Sequence, residues 1–539
     1  MKISGKLIDL HLRRIYSGEI TVSKGKITSI EEMSSAPEVY IMPGLIDAHV
    51  HIESSMVTPS HFAVTAVRHG TVAVVSDPHE IANVMGVEGI YFMTENADTV
   101  PVKFLFGAPS CVPATKFESS GSVVGPEEIK GLLQSKRTGY LAEMMNFPGV
   151  INGDKEVVQK IKIAQNAGVV IDGHAPGLTG EDLKTYVSAG ISTDHECSTI
   201  EEAQEKIAAG MQILIREGSA AKNLEALAPL LITNPEKIML CSDDLHPEMF
   251  EKGHINLLVA RLLAGGYDIF DVLRSATVNP SNHYSLDAGL LREGDRADFI
   301  VVEDPRTMKV LQTWIEGNLV FDGQKALFGP GSVLRVNKFN CNRIVPREIE
   351  VKTRGPKMRL ITATNGELWT GCDIVSSGMD AVVHTRPEED ILKIVVKERY
   401  RDAPPSVGFI RGFALGHGAM ATSVAHDSHN IIAVGVSDRD IVTAVNMVSD
   451  AGGGMAVVSG QESDILRLPV AGIMSDMPVS AMAARYLSLS ETVKGLGCRL
   501  NAPFMTLSFM ALLVIPQLKL SDKGLFDGKN FRFVPLFVD

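Results

Sequence analysis

Basic residues are in short supply. The 539-residue chain sets 51 Lys and Arg against 64 Asp and Glu, a formal charge of −13. That balance disfavours a general nucleic-acid coat or an anionic membrane surface as partner, because neither would gain from releasing its counterions. Cysteine is sparse as well: Cys111, Cys197, Cys241, Cys341, Cys372 and Cys498 include no close CxxC pair. A disulfide framework is therefore not expected, and a reducing compartment fits better. The chain has no uncharged apolar run of about 18 residues and opens on no cationic-apolar leader, so neither a membrane span nor export is expected. Aromatic residues reach only 6%, with two Trp. What is present is a 45% hydrophobic and 21% charged composition, enough to bury a large core and to exclude disorder. The length corresponds to about three or four domains. The expectation is a cytoplasmic globular protein.

Three regions follow from the pattern. In residues 1–44, IYSGEITVSKGKITSI and PEVYIMP set β-formers between Gly, Ser and Lys-Gly turns. These strands are too short to close a core alone. Beyond Gly289, GLLREGDRADFIVVEDPRTMKVLQTWIEGNLV offers partners at Phe299–Val302 and Lys309–Ile315. Residues 1–44 and 290–344 are thus expected to form one small composite β-sandwich domain. Between them, over 45–289, eight apolar strands alternate with helical stretches: YIMPGLIDAHVH, TVAVVSDPHE, VKFLFGAP, GYLAEMMN, GVVIDGHAP, GISTDHE, MQILIREG and KIMLCSDD. The intervening GPEEIKGLLQSKR, DKEVVQKIKIAQNAG, TGEDLKTYVSAG and TIEEAQEKIAAG have helical periodicity, Glu or Asp near the start and, in the last three, a glycine end. Eight such units predict an α/β fold of the TIM-like (β/α)8 barrel type; a doubly wound sheet would alternate too. From residue 345 to 539 the texture changes to a further α/β or α+β domain.

In a barrel, chemistry gathers at the carboxyl ends of strands. His49 and His51 end the first expected strand, Glu143 the fourth, His174 the fifth, His195 the sixth and Asp243 the eighth. Spacing of two places His49 and His51 on one strand face. A lone strand-end histidine ordinarily serves a hydrogen bond, Glu143 alone would be solvated or paired, and Asp243 could cap a helix. Five nitrogen and oxygen donors at four strand ends instead suit Zn, Fe, Mn or Co, without choosing among them. Glu143 adds a carboxylate able to bridge two ions.

PGLIDAHVHIES, together with His174, His195 and Asp243, resembles the amidohydrolase superfamily. The longer strings PGLIDAHVHIESSMVTPSHF, AEMMNFPGV, DGHAPG, STDHE, CSDDLHP and VAHDSHNIIAVG are similar to the bacterial and archaeal adenine deaminases, over essentially the whole chain. The resemblance implies a binuclear centre that converts adenine and water to hypoxanthine and ammonia with metal-activated hydroxide. It implies His49, His51, His174, His195 and Asp243 as ligands, with two divalent ions per subunit, Mn2+ or Fe2+ ahead of Zn2+. Glu143 stands where many dinuclear relatives carry a carboxylated lysine, which makes a hydantoinase or dihydroorotase-like assignment unsafe. The expected assembly is a homo-oligomer such as a dimer, with no nucleic-acid polymer and no membrane as partner.

Asp243, near metal and water, would take the proton during attack and relay it to the leaving amine. A donor to a ring nitrogen would stabilise the adduct, and His79, Glu80 and His246 are its candidates, or read the base edge. Glu53 is a candidate pocket residue. His51-Ile52-Glu53 also satisfies the HxE half of the polynucleotide-deaminase zinc signature, but the later PCxxC element is missing. In the last region His426, Asp427 and His429 could bind metal, contact substrate or organise a turn; substrate contact is favoured because the resemblance extends through them. The glycines of DAGGGMA lack the Lys-Ser/Thr ending of a phosphate loop. The alternatives are a hydrolase of another purine or cyclic amidine, and a non-enzymatic metal-binding or assembly protein.

Overall fold

The computed structural model describes residues 1–539, which divide into two compact units. The first comprises Met1–Pro78, Tyr91–Cys111 and Gly125–Val333, and the second His79–Ile90, Val112–Val124 and Leu334–Asp539. Two stretches from within the expected barrel range, 79–90 and 112–124, therefore count with the second unit.

In the first unit each of the eight expected stretches carries a strand: β1 (Leu45–Val50), β2 (Thr71–Ser76), β3 (Lys103–Ala108), β4 (Tyr140–Met144), β5 (Ile171–Gly173), β6 (Thr193–Asp194), β7 (Gln212–Arg216) and β8 (Ile238–Cys241). β1 to β5 pair in order as one parallel sheet, and β6 to β8 as a second. A parallel bridge joins Val50 to Asp243, and the Ser192 N–H donates to the Ile171 carbonyl at 3.0 Å. Every residue of β1 and β2 is buried, as strands covered on both faces must be. The helices between them start and stop on local chemistry. Asp154 accepts from the Glu156 and Val157 amides ahead of the helix Lys155–Ala167, which ends at Gly168 with φ +68°. The Thr199 hydroxyl accepts from the Glu202 amide at the start of Ile200–Ala208.

Lys206 and Asp47, both buried in this unit, are held by partners within the protein. Lys206 donates to Asp194 at 3.0 Å, Glu202 at 2.8 Å and the Ala175 carbonyl at 2.7 Å. Burial opposes the Asp194 charge, but Lys206 overcomes it and holds that carboxyl at about 2. Asp47 on β1 accepts from the Ser242 amide at 3.0 Å, from the Ser242 hydroxyl, and from His254 Nε2 at 2.8 Å. That set braces β1 against the end of β8.

The composite β domain departs from the expected sandwich: its strands form a single seven-stranded sheet. Tyr40–Pro43 is the reason, since it pairs parallel with Lys2–Asp9 and antiparallel with Phe299–Val302, stitching the two ends of the unit together. The strand Lys2–Asp9 lies within the expected β region of 1–44 but outside the two stretches that marked it; KISGKLID carries Gly and two Lys among its apolar residues.

The second unit centres on a nine-stranded sheet running from Thr370–Ser376 through Lys357–Ala363, Ser406–Arg411, Leu392–Lys397, Ile431–Gly435, Ala419–Thr422 and Gly454–Ser459 to Glu462–Arg467. Phe537–Val538 pairs off this path with Lys357–Ala363. The helix Asp438–Asp450 buries Ile441, Val442, Ala444, Val445 and Val448 in one core cluster with Ala419, Ala433 and Ala456. Near the end, Pro503–Phe509 forms a short helix buried at every residue. No helix is long and apolar enough to cross a membrane.

Candidate metal centre

β1 carries His49, and His51 is the residue directly after it; both are almost wholly buried. Glu143 lies on β4, His174 directly after β5, His195 directly after β6 and Asp243 just beyond β8. Asp243 adopts φ +54°, a conformation rare for a residue with a side chain and held here by β1: its amide donates to the His49 carbonyl at 2.9 Å. Gly173 precedes His174 because no side chain fits there. A Cβ at that position would lie 2.7 Å from Ile191 Cγ2 and 3.0 Å from Tyr186 Oη. Tyr186 in turn donates to the Met144 carbonyl at 2.8 Å and accepts from the His174 amide at 3.1 Å.

The six donors converge. His49 Nε2 and His51 Nε2 are 3.2 Å apart, and Asp243 Oδ1 is 3.6 Å from the first and 3.3 Å from the second. Glu143 faces two ways: Oε1 is 3.4 Å from His51 Nε2, while Oε2 is 2.8 Å from His174 Nδ1 and 3.2 Å from His195 Nε2. The rings of His49 and His195 stack at 4.3 Å. Ligands at about 2.0–2.2 Å from one ion stand about 3.0–3.5 Å apart at its corners; the His49–His51, His51–Asp243, His51–Glu143 and His195–Glu143 separations fit such edges, whereas His174 Nδ1 and Glu143 Oε2 are in direct hydrogen-bond contact. His51 Nδ1 lies 3.0 Å from the Asp77 carbonyl; a proton on Nδ1 leaves Nε2 as the donor, the usual outer support of a metal-binding imidazole. Potential metal-binding groups accordingly include His49, His195 and Asp243 on one side and Glu143, His174 and His195 on the other.

Electrostatics keep both acids ionised. Burial alone would raise Glu143, but His174 and His195 outweigh it and hold the carboxyl well below its usual range. Asp243 is likewise lowered against burial by Arg216, His49 and His51. Burial also disfavours charge on His174, yet Glu196 and Glu143 raise it to about 9.

Two residues of this centre were not foreseen. Glu196, next to His195, has Oε1 3.6 Å from His174 Nδ1 and 3.4 Å from His195 Nε2. Arg216, the last residue of β7, donates from Nη1 to Asp243 Oδ2 at 2.6 Å and to Glu196 Oε1, and from Nη2 to Glu196 Oε2 at 2.9 Å. The signals were the acid in STDHE and the arginine in REG, each at an expected strand end. Glu53 is buried in the turn Ile52–Ser55. His246 precedes the short helix Pro247–Phe250, its amide donating to Ser219 Oγ at 2.9 Å.

The remaining expected site residues lie in the second unit. His79 and Glu80 open the helix His79–Met85. Glu80 Oε1 is 2.5 Å from His426 Nδ1, Glu80 Oε2 bonds His429 Nε2, and His79 Nε2 is 3.5 Å from Glu80 Oε1. At 2.5 Å the Glu80–His426 contact is a direct hydrogen bond, tighter than the coordination edges of the first unit. Burial opposes the Glu80 charge, but His426, His429 and His79 hold it well below the carboxylate range. The His426 ring stacks on Phe509 at 4.8 Å. Asp427 is buried beside Glu118, whose carboxyl is pushed well up by burial first and by Asp427 second.

Residues 40–320 match the amidohydrolase family, and residues 371–532 match the adenine deaminase C-terminal domain. The chain is 51% identical to the adenine deaminase of Salinibacter ruber, over 100% of this chain and 99% of that one. It is 52% identical to the adenine deaminase of Methanosarcina acetivorans, over the full length of both. Among solved structures, a beta-aspartyl dipeptidase from Fervidobacterium islandicum shares 15% identity over 60% of this chain and 98% of that one, with a TM-score of 0.47.

Proposed function

The chain belongs to the amidohydrolase superfamily and is homologous over its full length to adenine deaminases; from that premise we propose that it hydrolyses adenine to hypoxanthine and ammonia. The observation that carries the reading is Glu143, whose two oxygens face separate histidines, His51 on one side and His174 with His195 on the other. That is the disposition a carboxylate bridging two ions requires. We read the two parallel arcs as the staves of a (β/α)8 barrel, supported by the Val50–Asp243 bridge. The composite β domain of 1–44 and 290–344 and the C-terminal domain of 345–539 complete the proposed organisation, in a cytoplasmic homo-oligomer such as a dimer.

His49, His51, Glu143, His174, His195 and Asp243 would hold two divalent ions, Mn2+ or Fe2+ ahead of Zn2+. Bound there, such ions supply the Lewis acidity that makes water nucleophilic near neutral pH. The side chains supply the rest. Water adds its oxygen at C6 and the C6–N bond to the exocyclic amine breaks; the oxygen stays as the 6-oxo group and the amine leaves as ammonia. Of the two protons the water gives up, Asp243 takes one and returns it to the departing amine, and the other makes good the proton delivered to the ring nitrogen. His246 is assigned to protonation of a ring nitrogen, and Glu53 to recognition of the base.

The test is product formation by purified protein loaded with Mn2+, Fe2+ or Zn2+, following hypoxanthine by chromatography and ammonia by a coupled assay. Adenine turnover that chelation abolishes and metal restores is expected. Turnover of another purine in place of adenine would change the substrate. No turnover of any base, with a His174→Ala variant that binds as much metal as the parent, would overturn the hydrolase reading.

A further inference from the structure

Arg216 sits between two carboxylates that a metal centre could claim. Its side chain is 12% exposed, and its guanidinium forks onto both oxygens of Glu196 while also donating to Asp243 Oδ2 at 2.6 Å. The three residues come from consecutive strand ends, Glu196 after β6, Arg216 at the end of β7 and Asp243 after β8. The backbone fixes the same relation. The Arg216 amide donates to Asn223 Oδ1 at 2.8 Å, and Asn223 Nδ2 donates to the His195 and Cys197 carbonyls at 3.2 and 3.0 Å.

The fork has two geometric effects. It occupies Asp243 Oδ2, leaving Oδ1 as the oxygen that faces His49 and His51. It also restrains Glu196, whose Oε1 already stands 3.6 Å from His174 and 3.4 Å from His195, the second within and the first just beyond the spacing of ligands on one ion. Released, Asp243 could turn to chelate through both oxygens, and Glu196 could move in as an additional ligand. Either event would fill a coordination position that a hydrolytic centre must keep open for water.

We propose that Arg216 is a positioning residue that limits Asp243 to one coordinating oxygen and keeps Glu196 off the ions, so that a water position stays open. This rests on the two-ion deaminase reading above. Lysine cannot replace it fully, because a point charge cannot hold three carboxylate oxygens in one planar fork.

The test uses the full-length protein loaded with Mn2+, comparing the parent with Arg216→Met, Arg216→Lys, Glu196→Gln and the Arg216→Met/Glu196→Gln double variant. Manganese content and water-proton relaxation are measured without substrate, and kcat and KM with adenine. Arg216→Met is expected to keep its manganese, lose at least about half of the relaxation enhancement from exchanging water, and lose kcat at least about 30-fold with KM within about threefold. Arg216→Lys should fall between it and the parent, and the double variant should regain relaxation. Unchanged relaxation and kcat in Arg216→Met would overturn the proposal, and no recovery of relaxation in the double variant would overturn the part assigned to Glu196. Should Arg216→Met fail to fold, Arg216→Lys decides: relaxation and kcat equal to the parent's refute it. A parent that binds manganese but leaves adenine untouched sinks the deaminase reading alone, since the relaxation comparison needs no substrate.

Discussion

Replacing Gly173 by alanine tests how the centre is held at β5. The added methyl would lie 2.7 Å from Ile191 Cγ2 and 3.0 Å from Tyr186 Oη, and would also collide with the Thr193 carbonyl oxygen. Carbon atoms settle at about 3.5 Å or more, so β5 and the chain entering β6 must separate by at least about 0.8 Å. His174 follows directly on one side and His195 on the other, and the Tyr186 hydroxyl that anchors the His174 amide lies in the path. Overpacking of this kind costs about 1–3 kcal/mol in stability. A shift approaching 1 Å in the ligands costs about 10²-fold in catalytic efficiency. Three measurements check it: unfolding midpoint, manganese affinity by titration, and kcat/KM for adenine. Gly131→Ala is the control, because nothing stands within 4 Å of a Cβ there and it lies inside the helix Pro126–Gln134; it should be neutral or stabilising by up to about 1 kcal/mol. If Gly173→Ala kept manganese affinity and kcat/KM within about threefold of the parent, tight approach of β5 and β6 would not be what sets the ligand geometry.

Glu143→Gln should lower metal content from two ions per chain to at most one, read by elemental analysis after dialysis, because the amide cannot bridge as a carboxylate does; two retained ions would refute the bridging role. Asp243→Asn should keep the fold by circular dichroism and lose kcat by at least roughly 10²-fold, and near-parental turnover would remove Asp243 from proton transfer. The pH dependence of stability tests Lys519, which is fully buried and donates to the Leu368 and Phe509 carbonyls at 2.8 and 2.9 Å. Burial pushes its ammonium down to about 7. The unfolded chain then binds more protons between pH 7 and 10.5, so this group destabilises the fold fully below about 7 and releases that penalty as pH rises towards 10.5. The parent should gain stability to urea over pH 7.5–9.5 relative to Lys519→Met, by on the order of 1–3 kcal/mol; parallel pH profiles would refute it.

Much of the first unit was legible because parallel strands covered on both faces are short apolar runs, and their polar residues stand out at the carboxyl ends. His49, Glu143, His174, His195 and Asp243 were picked out that way, and the fold brings their side chains together. Glu196 and Arg216 carry the same positional signal, but an acid and an arginine at strand ends are ordinary surface residues until their pairing is seen. The pairing of Tyr40–Pro43 with both flanks was equally hidden, since local β-propensity does not encode the partner of a strand. Least legible was the membership of 79–90 and 112–124 in the second unit. Helical periodicity in HEIANVM marks an apolar face but not which core it joins, and the partners of Glu80 lie 346 and 349 residues downstream.

That last separation bears on how the protein is made. At about 5–20 residues per second a ribosome needs roughly 17–70 s to travel from Glu80 to His426. Throughout that interval the nascent helix His79–Met85 has been synthesised and its partners have not, leaving an acidic and apolar segment to be shielded by chaperones or by transient burial. Cutting the chain at residue 333 would make this condition permanent. The two units therefore cannot be separated by a single cleavage, and a fragment ending there is expected to aggregate rather than fold as an independent hydrolase.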